Sequence, residues 1–365
     1  MSPEHVQEEV AAEGGLVDRF AATNEEDRFA VTSEKVRLAV ANTESLDQPR
    51  KKVVALKFGG SSLQGAERML NAANLVRAAV QASNVIVIVS AMKGVTDRLL
   101  SLSRLLAQGK HSHARNEAEG VIHLHLDVLQ DLQLGEERQD RVRLVLQLLG
   151  RDLLHEVPLD GYVPCSAELA DRLASFGERF SARLFAAALE KSGVASVPVS
   201  SSDFVLTCDT FRDAKPHLEE TKKRGRAILL PLLEDSLVPV VTGFIGATPD
   251  GRITTLGRNS SDFSGAIIAH VVDAEELVIW TDVDGVYTAN PHVSSAAKLL
   301  HDLSYDEAHA LAAGGAKVLH PHVLPLAAET EMTIWIRNTF KPHVRGTRIG
   351  LPQTSTGRAQ FGGAA

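Results

Sequence analysis

The amino-acid sequence predicts an α/β protein, a three-layer α/β/α sandwich with a mostly parallel central sheet. Short apolar runs of strand length alternate along the chain with longer segments of helical spacing, an order typical of a parallel sheet flanked by helices. The run Asn84–Ser90 is apolar almost throughout instead of alternating with polar residues, which indicates a strand buried on both faces. A hydrophobic content of 44% is ample for such a core.

The predicted elements follow one another in this order. A first strand ends near Lys57 and leads into a helix over Leu63–Val80, and the strand at Asn84–Ser90 leads into a helical insertion over 98–157. The remaining elements are expected as a helix at Leu169–Lys191, strands at Ala195–Val199 and Val238–Val241, a hairpin-like segment at Gly246–Leu256, a helix at Phe263–Val272, a strand at Glu276–Trp280, a helix at Tyr305–Ala313 and a last strand at Ile334–Arg337. Because open parallel sheets bind ligands outside the carboxyl ends of their strands, we expect the polar turns there to converge on one crevice.

Charge and cysteine content argue against several classes of protein. The net charge is −8, but residues 1–47 hold 11 acidic against 4 basic side chains, so the remainder, with 35 against 34, is nearly neutral. A body without basic excess does not indicate nucleic-acid binding, and no apolar run reaches the roughly 18 residues of a membrane span. The two cysteines fit a reduced compartment, so a cytoplasmic protein is expected. Residues 1–51, acidic and poor in strand-like runs, are expected to be a disordered extension.

The segment after the first strand is the most informative motif. Lys57 stands at the end of the strand and is followed by Phe58, Gly59, Gly60, Ser61 and Ser62. Glycines let the backbone approach a ligand, and successive N–H groups there can face an anion. With a helix N-terminus close behind, the arrangement favours phosphate binding. An ordinary turn is the alternative for this motif alone, and the lysine precedes the glycines, unlike in a Walker sequence.

Other charged residues lie at predicted strand ends and helix starts. Lys317 follows a Gly-Gly pair and could join Lys57 in stabilising a triphosphate, whereas Arg258 could clamp a carboxylate. A solvated surface charge is the alternative for each cation. Ser261 and Asp262 at a helix start could equally be capping residues.

Three further acidic residues have two interpretations each. Glu178, inside a helix, could bind an ammonium group or lie on the surface. Asp282 and Asp284 could bind ribose or magnesium, or could form a turn. Zinc at His292, His320 and His322 is not favoured, because His-Pro-His is not a usual metal spacing and no cysteine pair accompanies it.

Six motifs, in order, resemble the catalytic domain of the aspartokinases within the amino-acid kinase family. They span roughly residues 53–350, and their order makes the set far more specific than any single motif. The matching segments are Lys57–Ser62, Val89–Thr96, Gly177–Ala182, Thr254–Asp262, Trp280–Thr288 and Gly315–Pro321.

The resemblance implies phosphorylation of the aspartate side-chain carboxylate by ATP with Mg²⁺, giving 4-phospho-L-aspartate. It implies an amino-acid-binding lobe over about 52–235, a nucleotide-binding lobe over about 236–350 and a flexible tail at 351–365. Glu178 would bind the α-ammonium group of the amino acid and Arg258 its α-carboxylate. In full, the likeness implies catalytic roles for Lys57, Asp262 and Lys317, substrate binding by Ser61, Thr96, Glu178, Arg258 and Ser261, and nucleotide binding by Gly59, Gly60, Thr281, Asp282, Tyr287, His292 and Val318.

Several features depart from the family pattern. Ser260 stands where glycine is usual, Asn290 where aspartate is and His292 where arginine is, and the histidine is a weaker, titrating cation. The regulatory ACT domains of the family are not expected, because only about fifteen residues follow the segment 346–349. Two alternatives stay open: a kinase of the same fold that acts on another amino-acid carboxylate, and a non-catalytic nucleotide or amino-acid sensor. The expected partners are a small amino acid, ATP and further copies of the chain, without nucleic acid or membrane.

Overall fold

The structure, a computed structural model of the chain, describes residues 51–257, 260–289, 296–313, 319–320 and 322–352. Almost all of the predicted N-terminal extension and most of the predicted tail lie outside these ranges. No helix among the described residues combines the length and the apolarity needed to cross a bilayer.

Eight of the strands formed by the described residues build one central sheet. The strands are β1 Val53–Phe58, β2 Asn84–Val89, β3 Ser196–Val199, β4 Val238–Thr242, β5 Ile245–Ala247, β6 Ile253–Thr255, β7 Glu276–Thr281, β8 Val286–Tyr287, β9 Leu299–Leu300, β10 Asp302–Leu303, β11 Thr333–Asn338 and β12 Thr347–Ile349. The sheet has the order β10-β12-β11-β7-β1-β2-β4-β3, and each neighbouring pair is parallel except β11 with β12. The predicted mostly parallel sheet is confirmed, and β5 with β6 forms the predicted hairpin.

The helices in the described residues lie on both faces of this sheet. They are α1 Ala66–Ala79, α2 Val95–Ala107, α3 His111–Leu132, α4 Glu136–His155, α5 Ala167–Lys191, α6 Leu218–Glu234, α7 Ser261–Val271, α8 Tyr305–Ala313 and α9 Val323–Glu329. The predicted helical insertion is present as α2, α3 and α4.

The core consists of two apolar layers, one on each face of the sheet. On one face Val54, Leu56 and Phe58 of β1 join a cluster with residues of α1 to α5, and on the other face Ala55 joins residues of α6, α7, α8 and α9. Consecutive strand residues point to opposite faces, so β1 is buried on both sides, as a continuous apolar run predicts. The three-layer arrangement is therefore confirmed.

Six elements among the described residues were not predicted from the sequence: β8, β9, β10, β12, α6 and α9. The strand at Ile334–Arg337 is not the last one, because β12 follows it and pairs back onto β11. β12 has three residues and α9 seven, too few for a periodic signal. Helix α6 was not predicted because it contains Pro231, and a proline inside a helical pattern usually indicates that the helix ends there.

Candidate active site

A cavity of about 490 Å³ lies at the carboxyl ends of β1 and β2, beside the first turn of α7. The chain passes from β1 to β2 on one side, whereas β7 on the other side of β1 leads outward to β11. The sheet order thus reverses at β1, and such reversals are where open α/β sheets bind ligands. The described lining residues are Lys57, Gly59, Gly60, Ser90, Ala91, Met92, Lys93, Gly94, Thr96, Asp97, Leu100, Glu178, Phe244, Ser261 and Asp262. Seven of the predicted site residues are brought together here: Lys57, Gly59, Gly60, Thr96, Glu178, Ser261 and Asp262.

Lys57 and Asp262 form an ion pair in the wall of this cavity. Lys57 Nζ donates to Asp262 Oδ1 at 2.5 Å, and the lysine is only 7% exposed. β1 supplies the lysine, and the first turn of α7 supplies the aspartate, where the helix dipole favours a carboxylate. The sequence left open whether Ser261 and Asp262 cap this helix. The N-cap of α7 is Ser260, so neither of them is the capping residue. The ion pair holds the lysine ammonium at a fixed place in the cavity.

The turns after β1 and β2 lie directly against each other. Lys93 N donates to Gly60 O at 3.2 Å. A Cβ atom at Gly60 would lie 2.5 Å from Ala91 O, so any other residue would push the two turns apart. This close approach is the physical reason for a glycine at position 60, and it sets the distance between the two walls of the cavity.

Glu178 lies in the cavity wall as a buried carboxylate with an unused oxygen. It is 2% exposed, Oε1 accepts from Ala91 N at 3.0 Å, and Oε2 has no hydrogen-bond partner among the described residues. Burial raises the pKa of Glu178 to about 8, against the smaller opposing effects of the hydrogen bond from Ala91 and the charge of Lys57. A buried acceptor without a partner is costly, and it indicates a place that a ligand completes.

Gly177 makes this position of Glu178 possible. A Cβ atom at Gly177 would lie 2.7 Å from Ala91 Cβ and 3.4 Å from side-chain atoms of Leu99 and Val95. Helix α5 therefore packs against the β2–α2 turn without a side chain between them. The Gly-Glu pair of the sequence motif is explained by this contact.

Two other predicted residues occupy different positions relative to the cavity. Thr96, in the first turn of α2, lines it. Ser61 does not line it, and its carbonyl accepts from Arg68 Nη1 at 2.8 Å. The neighbouring Ser62 is buried and shares a hydrogen bond of 2.7 Å with Thr339 Oγ1, which ties the turn after β1 to the end of β11.

The predicted nucleotide residues of the β7 side are not part of the cavity lining. Thr281 is the last residue of β7, Asp282 is the next residue, and Tyr287 belongs to β8. Asp284, between them, accepts from Asn338 Nδ2 at 2.5 Å and from Lys341 Nζ at 3.1 Å. These groups hold the loop after β7 onto the end of β11.

Asp171 supports the segment that leads to Arg258. It is 1% exposed, and its Oδ2 accepts from Thr255 N at 2.9 Å and from Arg212 N at 2.8 Å, while Oδ1 accepts from Thr255 Oγ1 at 2.8 Å. Burial raises its pKa, although these hydrogen bonds oppose the rise. Asp171 thereby fixes the end of β6, two residues before Gly257.

Sequence reasoning gave no individual role to eight of the described lining residues: Ser90, Ala91, Met92, Lys93, Gly94, Asp97, Leu100 and Phe244. Phe244 is the second residue after β4, has a φ of 66° and donates its backbone N–H to Ser264 Oγ at 2.6 Å. A phenylalanine with positive φ is uncommon, and this one lies in the turn after β4 that borders the cavity. The usable signal was the position after a strand end, since Gly243 and Phe244 follow β4 as Gly59 follows β1.

Four predicted site residues, Arg258, His292, Lys317 and Val318, lie outside the described residues, as does Asn290.

The sequence is similar to characterised proteins over most of its described part. The sequence model of the Amino acid kinase family matches residues 52–338. "Lysine-sensitive aspartokinase 3" of Escherichia coli (strain K12) is 31% identical over 299 residues, which cover 82% of this chain and 64% of that protein. "Aspartokinase 1, chloroplastic" of Arabidopsis thaliana is 32% identical over 315 residues, which cover 84% of this chain and 54% of that protein. The chain thus spans less than two thirds of the length of either relative.

A solved structure shares the fold. E. coli aspartokinase III in complex with aspartate and ADP aligns with a TM-score of 0.75 and 29% sequence identity. The alignment covers 83% of this chain and 66% of that one.

Proposed function

Because the chain belongs to the amino acid kinase family, we propose that it transfers the terminal phosphoryl group of ATP to the side-chain carboxylate of L-aspartate. The observation that carries this proposal is the buried Glu178 carboxylate, whose Oε2 has no partner, in the wall of the same cavity as the Lys57–Asp262 ion pair. Such a cavity offers a carboxylate to an ammonium group and a lysine to a phosphoryl group. The relatives named aspartokinase, and the solved relative with aspartate and ADP, support aspartate as the acceptor.

The amino acid would bind through both of its α-substituents. Its ammonium group would donate to Glu178 Oε2, and its α-carboxylate would meet the guanidinium of Arg258, which lies outside the described residues. Since the pKa of Glu178 is about 8, this carboxyl is mostly protonated at neutral pH before the amino acid binds. Binding of an ammonium group needs the ionised form, so we expect the proton to leave as the amino acid binds.

Transfer would then need positioning and charge stabilisation. The side-chain carboxylate of free aspartate is already ionised at neutral pH, so no general base is required. Its oxygen attacks the terminal phosphorus, the bond from that phosphorus to the bridging oxygen breaks, and ADP leaves with the electron pair. Lys57 Nζ and the N–H groups around Gly59 and Gly60 would stabilise the charge on the transferred group, with Lys317 as a second cation.

The nucleotide would lie toward the β7 side of the cavity. We propose that Thr281, Asp282, Tyr287 and Val318 contact the nucleoside and that His292 contacts the phosphates, as the family resemblance implies. No group of three or more metal-ligating side chains occurs among the described residues. Mg²⁺ is usually held by nucleotide phosphates and water with one or two carboxylates, and Asp262 of the cavity lining would supply such a carboxylate. The ion would neutralise phosphate charge.

The test is an acyl-phosphate assay with purified protein. Protein, ATP and Mg²⁺ are incubated with each amino acid in turn, and hydroxylamine traps any acyl phosphate as a hydroxamate. Hydroxamate with aspartate alone is the expected result. Product with another amino acid but not with aspartate would show that this other amino acid is the acceptor. No product with any amino acid, while ADP and aspartate still bind, would favour a sensor.

A further inference from the structure

We propose that Lys93 forms an anion-binding subsite of this cavity, where its ammonium group binds an anionic oxygen of the reacting substrates. The proposal rests on the proposed function, which brings a carboxylate and a phosphate to the same place. Lys93 lies in the turn between β2 and α2, its side chain is exposed, and it lines the cavity. Its ammonium group has no hydrogen-bond or ion-pair partner in the described part of the chain.

The charges around the cavity single out Lys93. The other described cation of the lining, Lys57, forms an ion pair with Asp262 at 2.5 Å. Asp97, a further acidic residue of the lining, already takes part in an interaction of its own. Glu178 is held largely uncharged at neutral pH by its burial. Lys93 is therefore the described lining cation that has no acidic partner among the described residues, and the proposed substrates are both anionic.

The backbone fixes where this charge is presented. Lys93 N donates to Gly60 O at 3.2 Å, and Val95 N donates to Met92 O at 3.0 Å. Gly94, with a φ of 85°, ends the turn and begins α2. Lys93 is thus attached to the turn that follows Lys57 and contains the glycines proposed to face the phosphates. A lysine on a flexible stem is a compact charge with three donors, which suits an oxygen whose position changes during transfer.

Two substrates could supply the oxygen: the side-chain carboxylate of the amino acid and the terminal phosphate of the nucleotide. Both meet at the reacting centre, and both offer the same chemistry, a charged oxygen acceptor. The experiment distinguishes them by which Michaelis constant changes.

The test compares Lys93→Ala and Lys93→Arg with wild type. We expect Lys93→Ala to raise KM for aspartate or for ATP roughly tenfold, with a smaller change in kcat, because one charge-assisted contact is lost. Lys93→Arg should restore most of the affinity, because it keeps the charge. Raising the ionic strength should weaken binding to wild type more than binding to Lys93→Ala. Lys223→Ala, which removes an exposed lysine of α6 that does not line the cavity, is the matched control and should change neither constant.

Three results would overturn the proposal. They are unchanged KM values in Lys93→Ala, an equal effect of Lys223→Ala, and a fall in melting temperature in Lys93→Ala and Lys93→Arg alike that accounts for the lost activity. If wild type phosphorylates no amino acid, calorimetric titration with inorganic pyrophosphate still decides. Binding that is weaker in Lys93→Ala would support the subsite while the proposed function fails, and binding that is equal in both proteins, or absent from both, would reject the subsite.

Discussion

The cavity beside β1 and the loop after β7 follow neighbouring strands of one sheet, yet they use their polar side chains in opposite ways. In the cavity, Glu178 Oε2 is buried without a described partner. In the loop, Asp284 accepts from both Asn338 and Lys341, and although burial acts against it, these hydrogen bonds lower the pKa of Asp284. The acidic group of the loop is paired within the protein, whereas the acidic group of the cavity keeps one buried oxygen without a described partner.

This difference in hydrogen bonding between the cavity and the loop indicates that the cavity is the place where a ligand binds. Folded proteins pair nearly all buried polar groups, because an unpaired one costs about 1–3 kcal/mol. A site retains such a cost where a ligand supplies the missing partner, and perturbed carboxyl groups concentrate in such sites. Substitutions in the cavity should therefore act mainly on activity, and substitutions of the internally paired groups near β7, such as Asp284 and Thr347, mainly on stability.

Lys57→Ala is the strongest test of the cavity. We expect kcat to fall at least about a hundredfold, because the cation that stabilises the transferred phosphoryl group is lost. Hydroxamate formation measures the loss, and far-ultraviolet circular dichroism checks that the fold persists. Lys223→Ala, which removes the same charge from an exposed part of α6, should be fully active. A kcat within tenfold of wild type would remove Lys57 from the catalytic role.

Glu178→Gln should raise KM for aspartate by roughly 10- to 100-fold and leave KM for ATP unchanged, because an ion pair with the ammonium group becomes a neutral contact. Wild type at pH 7 should release close to one proton per aspartate bound, since a group of pKa about 8 must ionise. Calorimetry in buffers of different ionisation enthalpy measures that number. The Gln variant should release none, and proton release equal to that of wild type would contradict the role.

The same variant tests the cost of burying Glu178. The pKa is about 8 in the folded protein and near 4.5 in the unfolded chain, so the folded state binds the extra proton between these values. Its contribution to stability is fully present below pH 4.5 and is lost as the pH rises through 8. Relative to Glu178→Gln, the free energy of unfolding of wild type should fall by up to about 1.4 kcal/mol per pH unit in this window. Urea denaturation at pH 5, 6.5 and 8 measures the slope, and a difference independent of pH would refute it.

Gly177→Ser should perturb the packing of α5 on the β2–α2 turn, which positions Glu178 in the cavity wall. The new Cβ meets Ala91 Cβ at 2.7 Å, so we expect about 1–3 kcal/mol less stability and a higher KM for aspartate as Glu178 shifts. Gly135→Ser is the control, because no atom lies within 4 Å of a Cβ there and serine is a good residue for the N-cap of α4. Equal effects of the two substitutions would reject the packing explanation.

Thr347→Val probes the β7 side and should have the smallest effect on activity. Thr347 Oγ1 accepts from Val286 N at 2.8 Å and donates to Leu300 O at 2.5 Å, and the residue is fully buried. Losing these bonds should lower the free energy of unfolding by about 1–3 kcal/mol, measured by urea denaturation. KM for aspartate should stay at the wild-type value, and a tenfold rise would show that the two regions are coupled.

Much of the fold could be predicted because the signals are local. The apolar run of β2 indicates a strand buried on both faces, and the helical insertion has a sustained period. β12 and α9 are too short for such a signal, and Pro231 obscures α6. The individual roles of Ser61, Thr281, Asp282 and Tyr287, the cytoplasmic location and the homo-oligomeric state stay predictions.

Taken alone, the sequence determined the alternation of strands and helices and which glycines and charges stand at strand ends, because apolar period and turn chemistry depend on near neighbours in the chain. Only the tertiary structure decided that Glu178 is buried with one oxygen unpaired, and that Lys57 forms an ion pair with Asp262 while Lys93 forms none, among the described residues. The burial and pairing of a charge depend on residues far away in sequence, here 205 positions apart for Lys57 and Asp262, and no local pattern carries that information.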